Sequence, residues 1–247
     1  MDKWFGDIAA QFALPAPVAR QLRDVGYVVL ESAVPSSQCK PLAEAYDAAV
    51  LAAHPDDVSV KDSTRAHDFV NRGPAFDDMY LYGPLLAACC CLLARPFKLS
   101  SLLARTLEPG APVQELHQDF KPYDEGWPMV GFIVMLDEFR HDNGATRFMP
   151  GSHLTRGFAA EAMNQATIAQ DEVLACGQAG DMIIYNGSVW HSHTANRSTK
   201  PRRSLQGAYI RREDHAAINQ AARLRPETLA RISPLAKYLL DVVEKET

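Results

Sequence analysis

Val113-Gln114-Glu115-Leu116-His117-Gln118-Asp119-Phe120 is the stretch on which the reading of this chain turns. It alternates as a strand does, directly after the turn-forming run Pro109-Gly110-Ala111-Pro112. Residues two apart on a strand point to the same face, so His117 and Asp119 are expected to project together. A neutral imidazole and a carboxylate on one face can occupy two adjacent positions around a divalent ion. The chain has eight histidines, and an H-x-D pair also arises by chance, so the pair gains meaning only from what lies elsewhere.

Outward from it the texture is that of short strands. Phe97 to Leu107, Met129 to Leu136, Ala145 to Met149, Val173 to Cys176, Asp181 to Tyr185 and Ser204 to Ile210 are rich in β-branched and apolar residues. Asn143-Gly144 is a hairpin turn signal. Such a series predicts a mostly β protein with flanking helices around a sandwich or jelly roll (a cupin-like, double-stranded β-helix). The first hundred residues read as helix-rich: Val18, Leu22 and Val25 recur at helical spacing, Tyr27 to Leu30 is a short strand, and Pro35-Ser36-Ser37 opens a helix through Val50, with Ser36 or Ser37 as its cap. Asp62 to Asp78 has no clear period and reads as a loop. Leu229, Ile232, Leu235 and Leu239 form a helical stripe interrupted or started by Pro234. No linker or repeat divides the 247 residues, so one domain is expected: helix-rich 1–96, a β core at about 97–212, and a helical tail at 213–247.

After the predicted strand ending at Tyr185, Trp190-His191-Ser192-His193 supplies a histidine that can fold back beside the first strand. Two histidines and one carboxylate form a facial triad that leaves three positions on iron(II) open. Those positions suit a bidentate 2-oxo acid and one dioxygen molecule. Pro201-Arg202-Arg203 follows, and a guanidinium matches the far carboxylate of 2-oxoglutarate with two parallel hydrogen bonds. A surface arginine is the plainer alternative for either residue.

Composition narrows the field. A net charge of −5 with no basic face speaks against nucleic acid. The five cysteines, Cys39, Cys89, Cys90, Cys91 and Cys176, show no CxxC spacing, and the triple run reads as buried small hydrophobes. No signal peptide is evident, and the apolar run Leu85 to Ala94 falls short of the ~18–20 residues of a bilayer span. A cytoplasmic protein with no membrane partner is expected, acting on a small molecule as a monomer or homodimer.

Residues 113–212 resemble the phytanoyl-CoA dioxygenase family of Fe(II)/2-oxoglutarate enzymes. The resemblance rests on His117-Gln118-Asp119, Asn143-Gly144-Ala145-Thr146, Pro150-Gly151-Ser152-His153, Gly180-Asp181 and the run from His191 through Asn196 to Arg202, with Val25-Gly26-Tyr27 upstream. The family's distal histidine stands five residues before an asparagine and eleven before an arginine. That spacing selects His191 and Arg202 over His193 and Arg203. The resemblance thus implies iron held by His117, Asp119 and His191, and 2-oxoglutarate held by Arg202. It also implies cofactor contacts from Gln114 and Thr146. Simple alternation puts Gln114 on the face opposite His117, so its contact requires a bulge. His153 reads as a turn or supporting residue. Related halogenases carry a small residue where Asp119 stands, so hydroxylation, with release of succinate and carbon dioxide, is favoured over halogenation. The implied substrate is natural-product-like or lipid-like. Tyr123, Trp127, Met129, Phe132 and Trp190 are candidates for its pocket or for the core, and the loop from Thr64 to Arg72 is a candidate cover. Two other readings share the fold: a cupin-like metal isomerase or hydrolase, and a non-catalytic small-molecule-binding module.

Overall fold

A computed structural model describes residues 2–61, 63–121, 125–155 and 171–242. Helices α1 (Lys3–Gln11) and α2 (Ala16–Asp24) lead through Gly26 into strand β1 (Tyr27–Leu30), and α3 (Ser36–Leu51) follows. Gly26 has φ +96°, and a Cβ there would lie 2.8 Å from the His153 ring, so only glycine fits this tight exit from α2. Pro35, not Ser36 or Ser37, is the N-cap of α3, and no side chain caps it. Proline already holds the φ needed at a helix entry, and Ser36 is itself the first helical residue.

The segment expected to be a loop is more ordered than its sequence suggests. Strand β3 (Thr64–Ala66) lies within it and forms a hairpin with β2 (Val58–Val60) just before it, α4 (Asp77–Tyr80) begins at its end, and α5 (Gly83–Leu93) follows beyond it. Thr64-Arg65-Ala66 carries no apolar period; β3 exists because its backbone pairs with the long strand β4 (Phe97–Leu107). The stretch Pro74–Leu93 meets the length and hydropathy of a membrane span, a longer run than Leu85 to Ala94. Leu85, Leu86, Ala88 and Cys89 on it are nonetheless buried in the core.

The remaining strands are β5 (Met129–Met135), β6 (Thr146–Phe148), β7 (Val173–Ala175), β8 (Met182–Asn186), β9 (His191–His193) and β10 (Arg202–Arg211). Seven strands form one sheet in the order β1-β8-β5-β10-β4-β3-β2, and three form a second in the order β7-β6-β9. Neighbouring strands in both sheets pair antiparallel. This is the expected jelly roll: β1 is the short strand read at Tyr27 to Leu30, while β2 and β3 are unanticipated in the part read as helix-rich. Three short helices, Gln220–Arg223, Pro226–Arg231 and Pro234–Leu239, close the described chain, and Pro234 starts the last of them.

Strand alternation divides the large sheet into two faces. Val130, Phe132 and Val134 of β5, with Ile184 of β8 and Leu205 of β10, pack on the helices Leu22 and Leu86 belong to. Ile133, Met135, Ile183 and Tyr185 point the other way and meet Phe148 and Ala175 of the small sheet. Phe132, a pocket candidate in the sequence, is therefore a core residue, fully buried and stacked 6.2 Å from the Tyr209 ring. Trp127 packs against the same core, and Trp190 packs with Met149 and Leu116. Tyr123 lies outside the described residues. Phe132→Ala should lower unfolding free energy by about 3–5 kcal/mol, the cost of deleting a core aromatic, read from a urea transition at unchanged slope.

Candidate metal centre

Val113–Phe120 is not the regular strand its alternation suggests. Only His117 forms a ladder bridge, to His191 of β9. The two residues exchange both backbone bonds, each N–H to the other's carbonyl at 3.0 Å. The Gln114 N–H donates to the His193 carbonyl at 3.1 Å. Three residues therefore span on one side what two span on the other, which is a bulge. The extra residue turns Gln114 into the cavity that His117 lines.

His117, Asp119 and His191 converge. One ligand atom from each lies within 4.8 Å of the others. Nε2 of His117 is 3.8 Å from Asp119 Oδ1, and Nε2 of His191 is 3.7 Å from Asp119 Oδ2. Each ring has its Nδ1 against a backbone carbonyl two residues back: Glu115 at 3.1 Å for His117 and Val189 at 2.9 Å for His191. A carbonyl can only accept, so Nδ1 carries the proton and Nε2 keeps a free lone pair directed at the cluster. Burial, then the neighbouring His191, hold the His117 pKa below its usual range, which favours the neutral, ligating form. Asp119 accepts a hydrogen bond from the Tyr185 hydroxyl at 2.8 Å.

The cluster opens into a cavity of about 340 Å³. Arg202, at 1% exposure, lines it and among the described residues makes one side-chain hydrogen bond, a long 3.4 Å contact from Nη1 to Ser204 Oγ. Its Nε is buried without a hydrogen-bond partner among the described residues, and the guanidinium stands 4.1 Å from the centre of the Phe139 ring. Burial first, and Arg105 next, push its pKa down to about 9, so a cation remains at neutral pH with no carboxylate paired to it among the described residues. A buried charge without a counter-charge is costly, and a carboxylate brought by a bound molecule is what would offset it. Arg203, the alternative, points to the opposite face and is held by Asp137 at 2.6 Å and Asp47 at 2.7 Å. Adjacent strand residues alternate, so only one of the two can face the cavity.

Thr146 and His193 stand opposite each other across β6 and β9, and both line the cavity. His193 bonds the Thr194 carbonyl through Nδ1 at 2.9 Å, its Nε2 is unpartnered, and it lies outside the three-residue cluster. Burial, with Arg105 as the next cause, pushes its pKa down to about 3. His153 is away from the cluster, tying its turn to the Arg23 carbonyl at 2.9 Å. Of the apolar pocket candidates, Met129 lines the cavity. From the segment Thr64 to Arg72, Arg65 and His67 reach it, while Arg72 pairs with Asp57 at 3.0 Å. Sequence reasoning missed Arg105 and Tyr185. Arg105 is two residues beyond Leu103 on β4 and shares its face; the contact of Tyr185 depends on a strand register that no local pattern reveals.

The donor set suits a divalent metal with imidazole and carboxylate ligands, and Arg202 suits a diacid beside it. The phytanoyl-CoA dioxygenase (PhyH) family model matches residues 22–204. The dioxygenase andF of Emericella variicolor is 36% identical over 145 residues, 54% of this chain and 48% of its own length. The match thus spans about half of that relative. Among solved structures, the α-ketoglutarate-dependent epimerase SnoN from nogalamycin biosynthesis superposes with a TM-score of 0.66 at 21% identity, over 79% of this chain and 82% of its own. HygX from Streptomyces hygroscopicus, seen with nickel, 2-oxoglutarate and hygromycin B, gives 0.68 at 15% identity, over 82% and 90%. With the family model covering most of its length, the chain belongs to the phytanoyl-CoA dioxygenase family, whose enzymes use iron(II), 2-oxoglutarate and dioxygen.

Proposed function

We propose that this chain is a non-haem iron(II), 2-oxoglutarate-dependent dioxygenase that hydroxylates a small, natural-product-like molecule. The observation that carries the reading is the pairing, in one cavity, of the His117–Asp119–His191 cluster with a buried Arg202 that no carboxylate among the described residues pairs. Either half alone has plainer explanations. Together they fit a metal and a diacid that binds beside it.

In this reading His117, Asp119 and His191 would hold the iron. Arg202 receives the far carboxylate of 2-oxoglutarate, with Thr146 beside it. Gln114, fixed by the Arg105 guanidinium at 3.3 Å, contacts the same molecule from the other side. Bound iron with 2-oxoglutarate and dioxygen supplies the oxidising power for attack on an unactivated C–H bond, with succinate and carbon dioxide as co-products. The protein's own contribution is position and dryness. The lining of the cavity, with Leu103, Gln206 and Met129, offers both apolar contact and an amide for a substrate of mixed polarity. A cupin-like isomerase or hydrolase would have no use for a buried arginine at this place.

Two measurements test the reading. In anaerobic calorimetry, His191→Ala should abolish iron(II) binding at micromolar metal, while His193→Ala should retain it; the reverse pattern would reassign the third ligand. Arg202→Ala should weaken 2-oxoglutarate binding by roughly 2–5 kcal/mol, the cost of truncating one side of a buried charge pair, with iron affinity nearly intact. Arg203→Ala should leave 2-oxoglutarate binding unchanged. Succinate formed from 2-oxoglutarate, and a product heavier by one oxygen atom, separate hydroxylation from inversion or isomerisation.

A further inference from the structure

Asp119 is lightly held. It sits outside any strand, held at its backbone by an N–H to the Gly187 carbonyl at 3.0 Å. Its side chain is 27% exposed, between 36% for His117 and 8% for His191. Among the described residues its carboxylate accepts one side-chain hydrogen bond, from Tyr185. Both of its oxygens are close enough to an imidazole to share a metal with it: Oδ1 lies 3.8 Å from His117 Nε2 and Oδ2 lies 3.7 Å from His191 Nε2. Nothing in the cluster itself prevents the carboxylate from binding through both.

That choice decides whether the site can work. Two imidazoles and one oxygen occupy three of six positions, leaving room for a chelating 2-oxo acid and dioxygen. A chelating carboxylate would occupy a fourth position and leave only two. The oxygen that is not to bind must be kept otherwise engaged.

Tyr185 is built into the place where this can be done. It lies on β8 opposite Gly131 of β5. A Cβ at 131 would sit 2.1 Å from the tyrosine Cζ and 2.5 Å from its hydroxyl, so the ring lies flat over the neighbouring strand only because residue 131 is glycine. The His191 ring at 4.8 Å and the Phe148 ring at 5.8 Å enclose it. A ring wedged on three sides presents its hydroxyl at a fixed point, 2.8 Å from Asp119 Oδ2.

We infer that Tyr185 is a positioning residue that engages Oδ2 of Asp119, so that the carboxylate binds iron through Oδ1 alone and three coordination positions stay open. The inference rests on the iron-site reading above.

Tyr185→Phe keeps the ring and its slot over Gly131 and removes only the hydroxyl. Its iron(II) affinity in anaerobic calorimetry should fall about 10–100-fold, the usual effect of deleting a hydrogen bond to a metal ligand. A loss of packing alone would lower the melting temperature without changing how the carboxylate binds. The distinguishing readout is therefore the metal-induced infrared difference spectrum of protein labelled with ¹³C at the aspartate carboxylates. The wide separation of symmetric and antisymmetric stretches that marks one-oxygen binding should appear in the wild type. In Tyr185→Phe it should narrow towards the two-oxygen form. Wild-type iron affinity and an unchanged spectrum in the variant would overturn the role of Tyr185. If the variant does not fold, the wild-type spectrum decides, and a two-oxygen signature there overturns the inference. A wild type that binds no iron at all would instead overturn the metal-site reading, and this inference with it.

Discussion

The site depends on one pair of reciprocal backbone hydrogen bonds, His117 to His191 and back. These two residues are 74 apart in sequence and belong to segments with almost no other ladder between them. The bridge sets the two imidazoles side by side, with ring centres 4.5 Å apart. It also fixes the register from which everything near it follows. Gln114 reaches the cavity through the bulge that this bridge and the Gln114–His193 bond create. Thr146 and Phe148 are placed by the pairing of β6 with the other edge of β9. One short strand, His191–His193, therefore aligns both halves of the site.

Around that bridge the protein separates two kinds of charged group. Arg203, Asp137 and Asp47 satisfy one another on the outer face and hold β10 to α3. Arg202, the next residue, is turned inward and, among the described residues, has neither a carboxylate nor full hydrogen bonding. A fold selected for stability alone would have little reason to bury a guanidinium in this state, because an uncompensated interior charge costs several kcal/mol. The same asymmetry appears at the histidines, whose Nδ1 atoms are satisfied by carbonyls while their Nε2 atoms are not. Arg202 and these two histidines line one cavity, where a metal and an acid would satisfy them.

Much of this was legible in the sequence, and what was not has physical reasons. Strands β4, β5, β8 and β10 are long and apolar on at least one face, so their composition reports them. Strand β3 is Thr-Arg-Ala and exists only by pairing with β4, which no local pattern records. The alternation of Val113–Phe120 suggested a strand, but the bulge and a single bridge replaced it. The spacing from His191 to Arg202 followed from a family resemblance, and the ion pairs of Arg203 supply an independent structural reason for preferring Arg202 in the cavity. Tyr185 was invisible, because its role requires knowing that residue 131 lies across from it.

The most direct test of the account is a crystal structure of the protein grown or soaked without oxygen in iron(II) and 2-oxoglutarate. The account predicts one metal bound by His117, Asp119 and His191, with 2-oxoglutarate chelating it and its far carboxylate on Arg202. Metal bound elsewhere, or 2-oxoglutarate lying away from Arg202 with the His191 ring turned from the cluster, would contradict it.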